Sequence, residues 1–398
     1  MFLYVISIII LIIILFFIYI KLKYKFWSLQ PVFHFYNIHY WFKNVGVINK
    51  ELPQKNKYTN CTNIQTTDFK NITKKQYNQF LFIIQNHYLK NGENTYHPKK
   101  ENIAPYFTEH KHSSFFSFYY ESFLLEDVSN KDIIPDKKII AVMNSRPLNL
   151  LINEKNKSII TFDIYYVDYL CVDKMYRRKN IAPQMIQTHE YNQSHLNKKI
   201  SVSLFKREDV LTGIVPICVY KTYVFDMNKW NSPIPLSNGI SLLSGDNQNL
   251  YYVYNFIKET NEKWRITIMP HIANLLELIK TQNIFVKFIM MEGEIKAVYF
   301  FRDTCTFIQK KQRILSCFAS IQGDISDELF IHGFKLGVSS IVKKNIFYFL
   351  SIEDISDNNI IIHNLKLKSK PVVDSPTAYF FYNFAYETFP SNKVFIIN

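Results

Sequence analysis

Glycine is nearly missing from this chain, with 9 residues in 398. That scarcity leaves little material for the permissive loops that cradle nucleotide phosphates, and no Walker pattern, Gly-rich dinucleotide loop or nucleophile elbow occurs. Cysteine is also sparse. Cys61, Cys171, Cys218, Cys305 and Cys317 include no close pair and no Cys-x-x-Cys spacing, which argues against a disulfide framework and fits reduced thiols in a cytosolic setting. Acidic residues are in deficit, 33 against 47 lysines and arginines, for a formal net charge of +14. Such a balance favours anionic partners, whether phosphorylated cofactors, an acidic membrane surface or nucleic acid. The basic residues are spread rather than striped, so nucleic acid is the weakest of the three. His110-Lys111-His112 has no carboxylate or cysteine at metal-ligand spacing, and no metal site is expected.

Long apolar runs are absent except for one. Residues 2–20 are apolar or aromatic with a single serine and no charge, long enough as a helix to span a hydrocarbon core of about 30 Å. No positive segment precedes the run and no small-residue cleavage site follows it, which disfavours a secretory signal. Lys21, Lys23 and Lys25 come next, so the remaining chain is expected on the cytosolic side of a single-pass protein.

Beyond the span, residues 21–75 read as a juxtamembrane arm, rich first in aromatics and then in Asn, Lys and Thr. Residues 76–89 have helical spacing, and short strand-like runs follow at 115–120, 138–144 and 159–166. Asn231-Ser232-Pro233-Ile234-Pro235 reads as a linker. After it the same grammar returns: a helix at 271–280, a hairpin around Glu292-Gly293, an amphipathic helix at 325–344, a strand at 346–350 and an aromatic strand at 379–384. The expected division is 1–20 anchor, 21–75 arm, 76–230 first half and 231–398 second half.

The most informative stretch is Tyr169-Leu170-Cys171-Val172-Asp173-Lys174-Met175-Tyr176-Arg177-Arg178-Lys179-Asn180-Ile181-Ala182-Pro183. It reads as a buried strand, a basic turn and a helix start with proline in the first turn. Free N–H groups and the helix dipole, with three cations before them, make an anion site. A solvated basic turn between a core strand and a helix fits the same residues.

Three ordered segments carry a family resemblance. Tyr24-Lys25-Phe26-Trp27 with Gln30-Pro31-Val32, then Tyr169-Leu170-Cys171-Val172 with Lys174, Arg177, Lys179 and Ala182-Pro183, then Asp374 with Tyr379, Tyr382 and Asn383, together resemble the glycylpeptide N-myristoyltransferases. The resemblance implies an α/β (α+β) fold of two acetyltransferase-like (GNAT-type) halves around a continuous mixed, largely antiparallel sheet, here preceded by one transmembrane helix. It implies myristate transfer from myristoyl-CoA, a substrate rather than a permanently bound cofactor, to the N-terminal glycine amine of a protein. By that resemblance the backbone N–H groups of Tyr169 and Leu170 at a bulged strand would hold the thioester oxyanion. The α-carboxylate of Asn398 would be the base. Tyr24, Lys25, Phe26, Trp27, Leu170, Cys171, Val172, Arg177, Arg178, Lys179, Asn180, Ile181, Ala182 and Pro183 would hold CoA. Glu93, Asp374, Tyr379, Tyr382 and Asn383 would face the peptide. Partners would be myristoyl-CoA, glycine-ended proteins and membrane lipid around a monomer. Tyr24 lies four residues beyond Ile20, so the CoA site is expected close to the bilayer.

The chain also departs from the family pattern. Lys90-Asn91-Gly92-Glu93 stands where the family is acidic, and Val373-Asp374-Ser375 replaces Gly-Asp-Gly. Lys206 and Thr222 take the places of a threonine and a histidine, and the segment after Lys393 is shorter by one residue and lacks a glycine. Two further readings stay open: a pseudoenzyme that binds acyl-CoA or glycyl peptide without turnover, and an acetyltransferase of lysine or small amines. Glu353-Asp354 and Asp357 could pair as acid and base, but charged loop residues are far commoner, and they read as such.

Overall fold

The computed structural model describes residues 2–43, 46–89, 94–126, 133–154, 159–208, 213–228, 230–308 and 312–398. Helix α1, Phe2–Lys23, is 22 residues long and therefore about 33 Å. It is long and apolar enough to cross a membrane, and its described side chains are exposed up to Tyr19. Ile20 is the first to be buried. The helix thus runs three residues past the apolar stretch and enters the body without a linker: Tyr24 N–H donates to Ile20 O (2.8 Å) and Ser28 N–H to Tyr24 O (2.8 Å). A one-turn helix, α2 (Ile38–Phe42), follows in the arm.

The body is built on one 15-stranded sheet with a separate two-stranded ribbon. Antiparallel strands β1 (Phe115–Glu126), β2 (Ile133–Ile152) and β3 (Ile160–Val172) form its first part, and the arm adds Ile64–Asp68 alongside β1. Helix α3 (Lys74–His87) packs on this part through Tyr77, Phe80, Ile83 and Ile84. A reciprocal Thr73–Gln76 capping box starts it.

Duplication is visible in topology rather than in residues. β3 leads through helix α4 (Ile181–Leu196) to the parallel strand β4 (Ser203–Glu208). In the second half β6 (Gln312–Gln322) leads through helix α5 (Asp327–Val342) to the parallel strand β7 (Phe349–Glu353). Each is a strand–helix–strand crossover. The halves then exchange strands. β5 (Cys218–Asp226), from the first half in chain order, pairs with β7, while β8 (Val373–Tyr382), from the second, lies between β4 and β5. The acetyltransferase-like, mixed and mainly antiparallel architecture expected from the sequence is the one observed.

Several expected elements shift. The run at 159–166 and the strand that opens the 169–183 stretch are one strand, Ile160–Val172, the strand expected at 346–350 is Phe349–Glu353, and the aromatic strand begins earlier, at Val373. The hairpin turns at Glu292 (φ +54°) and Gly293 (φ +80°), the left-handed pair that a two-residue connection needs. Glu93 lies outside the described residues.

Candidate functional site

A β-bulge marks the centre. Met143 pairs with Leu170 and Ser145 with Val167, so Asp168 and Tyr169 of β3 face the single residue Asn144 of β2. The strand expected to be bulged at Tyr169 and Leu170 is bulged one residue earlier, at Asp168 and Tyr169, with Leu170 back in register against Met143, and it continues into residues lining a cleft of about 710 Å³. Leu170, Cys171 and Val172 form one side, and Arg177, Arg178, Asn180, Ile181, Ala182 and Pro183 form the other, at the start of α4. His87, Tyr88 and Leu89, at the end of α3, complete the wall; no sequence signal singled them out.

The basic turn is held under strain. Arg178 (φ +65°) and Asn180 (φ +61°) both adopt left-handed backbone without being glycine, a conformation that persists when neighbouring contacts fix it. Those contacts are explicit. Arg177 donates to Val172 O (3.2 Å) and to His87 O (2.6 Å), tying turn, strand and α3 together. Asp173, nearly buried, caps Met175 N–H (3.0 Å) and faces His87 (3.7 Å) and Lys138 (3.6 Å). Burial lowers the His87 pKa, Asp173 opposes this, and the cations around it add to the lowering. Burial pushes the Cys171 thiol up to about 12, so it lines the cleft as a small apolar group, not a nucleophile.

Lys179 does not line the cleft; its ammonium sits over the Tyr176 ring at 4.8 Å. Tyr24, Lys25, Phe26 and Trp27 also stand apart from it. Phe26 meets Tyr58 edge-on (5.1 Å), and Trp27 stacks on Phe205 (5.8 Å). Close to Tyr58, Asn60 binds the middle of α4 at Thr188 and Gln184. A second cleft of about 460 Å³ lies on this flank, lined by Ser28 to Pro31, arm residues 48–54 and 56, and Gln187, Glu190, Tyr382 and Asn383. Tyr382 donates to Gln30 Oε1 (2.7 Å), and the Asn383 amide binds both Asn49 and Ser201. These two side chains therefore pin the arm to the end of β8. Asp374 is exposed and paired with Lys221 (2.8 Å).

Apart from the cleft, a partly buried charge network surrounds Asn398. Arg302 donates to the main-chain oxygen of Asn398 (2.9 Å), to its side-chain oxygen (3.0 Å) and to Glu353 (3.1 Å). Glu353 also accepts from Lys206 (3.3 Å) and from the Tyr220 hydroxyl. Asn398 Nδ2 donates to Tyr379 OH (3.0 Å). Residues 394–397 are buried, and Val394–Ile396 runs parallel to Ile266–Met269, so Asn398 is carried inward. Burial acts to raise the Glu353 pKa, but Lys206 and Arg302 beside it prevail and hold the carboxyl below its usual range. The loop reading of Glu353 is corrected: it closes strand β7 and is 5% exposed. Glu353 was unreadable because its partners Lys206 and Arg302 are distant in sequence.

A second buried pair sits at the bulge itself. Arg146, 1% exposed, donates from Nε to Asp168 (2.9 Å) and lies over the rings of Tyr106 and Tyr166. Burial raises the Asp168 pKa, with Arg146 and Arg302 pulling the other way. Tyr169 N–H donates to Asn144 Oδ1 (3.0 Å), while Asn144 Nδ2 is buried without a partner among the described residues. The Tyr169 hydroxyl bonds that of Tyr96, and its ring meets Phe80 and Tyr88. Among the described residues no cluster could hold a metal ion.

No family model and no curated protein matches the sequence. Solved structures do match. One of Saccharomyces cerevisiae N-myristoyltransferase with bound myristoyl-CoA superposes at a TM-score of 0.68 and 14% identity, covering 92% of this chain and 94% of that one. A second of the same enzyme gives 0.69 at 13% identity, covering 92% and 89%. A tandem GNAT protein from the clavulanic acid biosynthesis pathway gives 0.52 at 9% identity, covering 82% and 100%. With a long apolar helix added ahead of it, the chain carries the N-myristoyltransferase fold.

Proposed function

We propose that this protein is a membrane-anchored acyltransferase of the N-myristoyltransferase type, moving a long acyl chain from CoA to the N-terminal glycine amine of a protein. The observation that carries the reading is the cleft between the bulged end of β3 and the start of α4. Its strained basic turn offers Arg177, Arg178 and the amides of residues 180–182 to phosphates, in a fold whose solved yeast example holds myristoyl-CoA.

In this reading the thioester carbonyl sits against the bulge, and its developing oxyanion takes the N–H groups of Tyr169 and Leu170. Tyr169 N–H is engaged by Asn144 Oδ1, so the substrate oxygen displaces that amide. The α-carboxylate of Asn398 accepts the ammonium proton, and the neutral amine attacks the thioester carbon. The carbon–sulfur bond breaks, CoA leaves as the thiol, and an amide remains. α1 spans the membrane, with the body on the cytosolic side.

One observation favours a pseudoenzyme instead. Arg302 and Lys206 bring two cations to the place that should receive an ammonium, and Arg302 clamps the proposed base. Incubating the full chain in nanodiscs with acyl-CoAs of increasing length and glycine-ended peptides separates the readings. Transfer that peaks at long chains supports the proposal. Tight acyl-CoA binding without transfer establishes the binder, and transfer from acetyl-CoA alone establishes a small-acyl transferase.

A further inference from the structure

We propose that the chain has a second lipid-contacting surface: Phe35, Ile38, Trp41 and Phe42, on and just before α2, seat in the interface of the bilayer that α1 crosses and fix how the body leans on the membrane. The inference rests on the reading of α1 as a membrane span.

Four large apolar side chains lie within eight residues and point outward, with exposures of 45% for Phe35, 69% for Ile38, 54% for Trp41 and 84% for Phe42. Each such side chain is stabilised by leaving water, so leaving all four exposed is a substantial cost. The opposite side of the segment is well anchored. Phe33, 3% exposed, meets the rings of Tyr40 (5.5 Å) and Trp41 (5.0 Å) and packs with Val215 and Ala385. The patch is therefore presented by a fixed piece of backbone. Trp41 Nε1–H donates to Phe35 O (3.0 Å), which satisfies the indole's polar group inside the patch and leaves the ring face free for acyl chains.

The occupant follows from position and charge. Phe35 N–H bonds Gly213 O (3.2 Å), and a Cβ on Gly213 would meet the Phe35 ring at 3.1 Å and the Tyr24 ring at 3.2 Å. Tyr24 is the first residue after α1, so the patch abuts the foot of that helix. With no linker between helix and body, it sits at the level where α1 leaves the hydrocarbon. Lys21, Lys23, Lys25 and Lys43 are all exposed around it. An aromatic and aliphatic face bordered by lysines suits the headgroup–acyl boundary of an anionic leaflet.

The test uses the full chain in phosphatidylcholine–phosphatidylserine nanodiscs. Cys61→Ser removes the exposed cysteine, the other four being buried. An environment-sensitive fluorophore is then attached at Trp41→Cys or, independently, at Phe42→Cys. Leu11→Cys in α1 and the exposed Ile346→Cys in the second half serve as references. The expected result is a blue-shifted emission at 41 and 42 that brominated lipid quenches nearly as strongly as at 11, with 346 water-like and unquenched. Quenching at 11 but not at 41 or 42 overturns the proposal and keeps the anchor. A blue shift at 41 and 42 without lipid quenching overturns it in favour of a protein partner. No quenching at 11 overturns both the proposal and the membrane reading of α1.

Discussion

Arg302 grips Asn398 at two atoms, the main-chain oxygen at 2.9 Å and the side-chain oxygen at 3.0 Å, while also reaching Glu353 at 3.1 Å. A guanidinium in that position stabilises the ionised form of both neighbours. Under the proposed reaction, Arg302→Gln moves the acid limb of the pH–rate profile to higher pH, since a carboxylate without its cation holds its proton longer. The same change leaves Glu353 short of a buried partner, which costs about 3–5 kcal/mol. Because the native Glu353 pKa is depressed, that stability is present above the unfolded value near 4.5 and fades as pH falls through the lower native value. Urea melts of both proteins at neutral and strongly acidic pH should therefore converge at the acidic end.

Lys206 and Glu353 couple. Lys206→Met and Glu353→Leu each strand a charge, whereas the double substitution strands fewer, so the double is expected to be less destabilised than the sum by about 1–3 kcal/mol. Strict additivity in denaturant melts would contradict the 3.3 Å contact.

Arg178 isolates the phosphate contribution. Its φ of +65° suits glycine, so Arg178→Gly keeps the turn and removes only the cation. Acyl-CoA affinity is expected to fall about tenfold, the scale of one charge-assisted phosphate contact. The loss should shrink as salt rises. An affinity unchanged at low salt would remove Arg178 from the site.

Glu190, on the buried side of α4, has Ser194 and Ser203 as partners, and burial pushes its carboxyl up to about 7. A raised acid binds its proton in the native state first, so stability declines as pH rises from about 4.5 through about 7, by about 3 kcal/mol in all. Glu190→Gln is expected to be more stable than the parent at pH 8 and nearly equal to it at pH 4.5. Thermal melts across that range check the sign. His189 nearby works the other way: burial takes it down to about 4, so its share of stability is lost as pH falls from about 6.5 through about 4.

The parts of the site that were legible are those carried by one contiguous segment. Residues 169–183 hold strand, turn and helix start in order, and ten of these fifteen reach one cleft. Lys179 escaped that logic because Tyr176 offers its ring to the ammonium. The aromatic arm 24–27 was readable as a motif but not as a location, since only folding decides that Trp27 stacks on Phe205. The charge network was invisible for the same reason in stronger form. Lys206, Arg302, Glu353 and Asn398 come from four separate strands or chain ends, and no spacing in the sequence relates them. Topology behaved similarly: the periodicity of each half is plain, but the exchange of β5 and β8 depends on edges that no local pattern describes.

That exchange sets a schedule for synthesis. β8 fills the gap between β4 and β5, roughly 150 residues after β5 has been made. Until it arrives, two strands near the middle of the sheet carry unpaired edges, and such edges recruit other chains. By then α1 has long since emerged, and in a single-pass protein it is already inserted. Under the proposed reading of α1 as a membrane span, the nascent body waits, half-zipped, against a bilayer rather than free in a crowded solution until β8 closes this pairing.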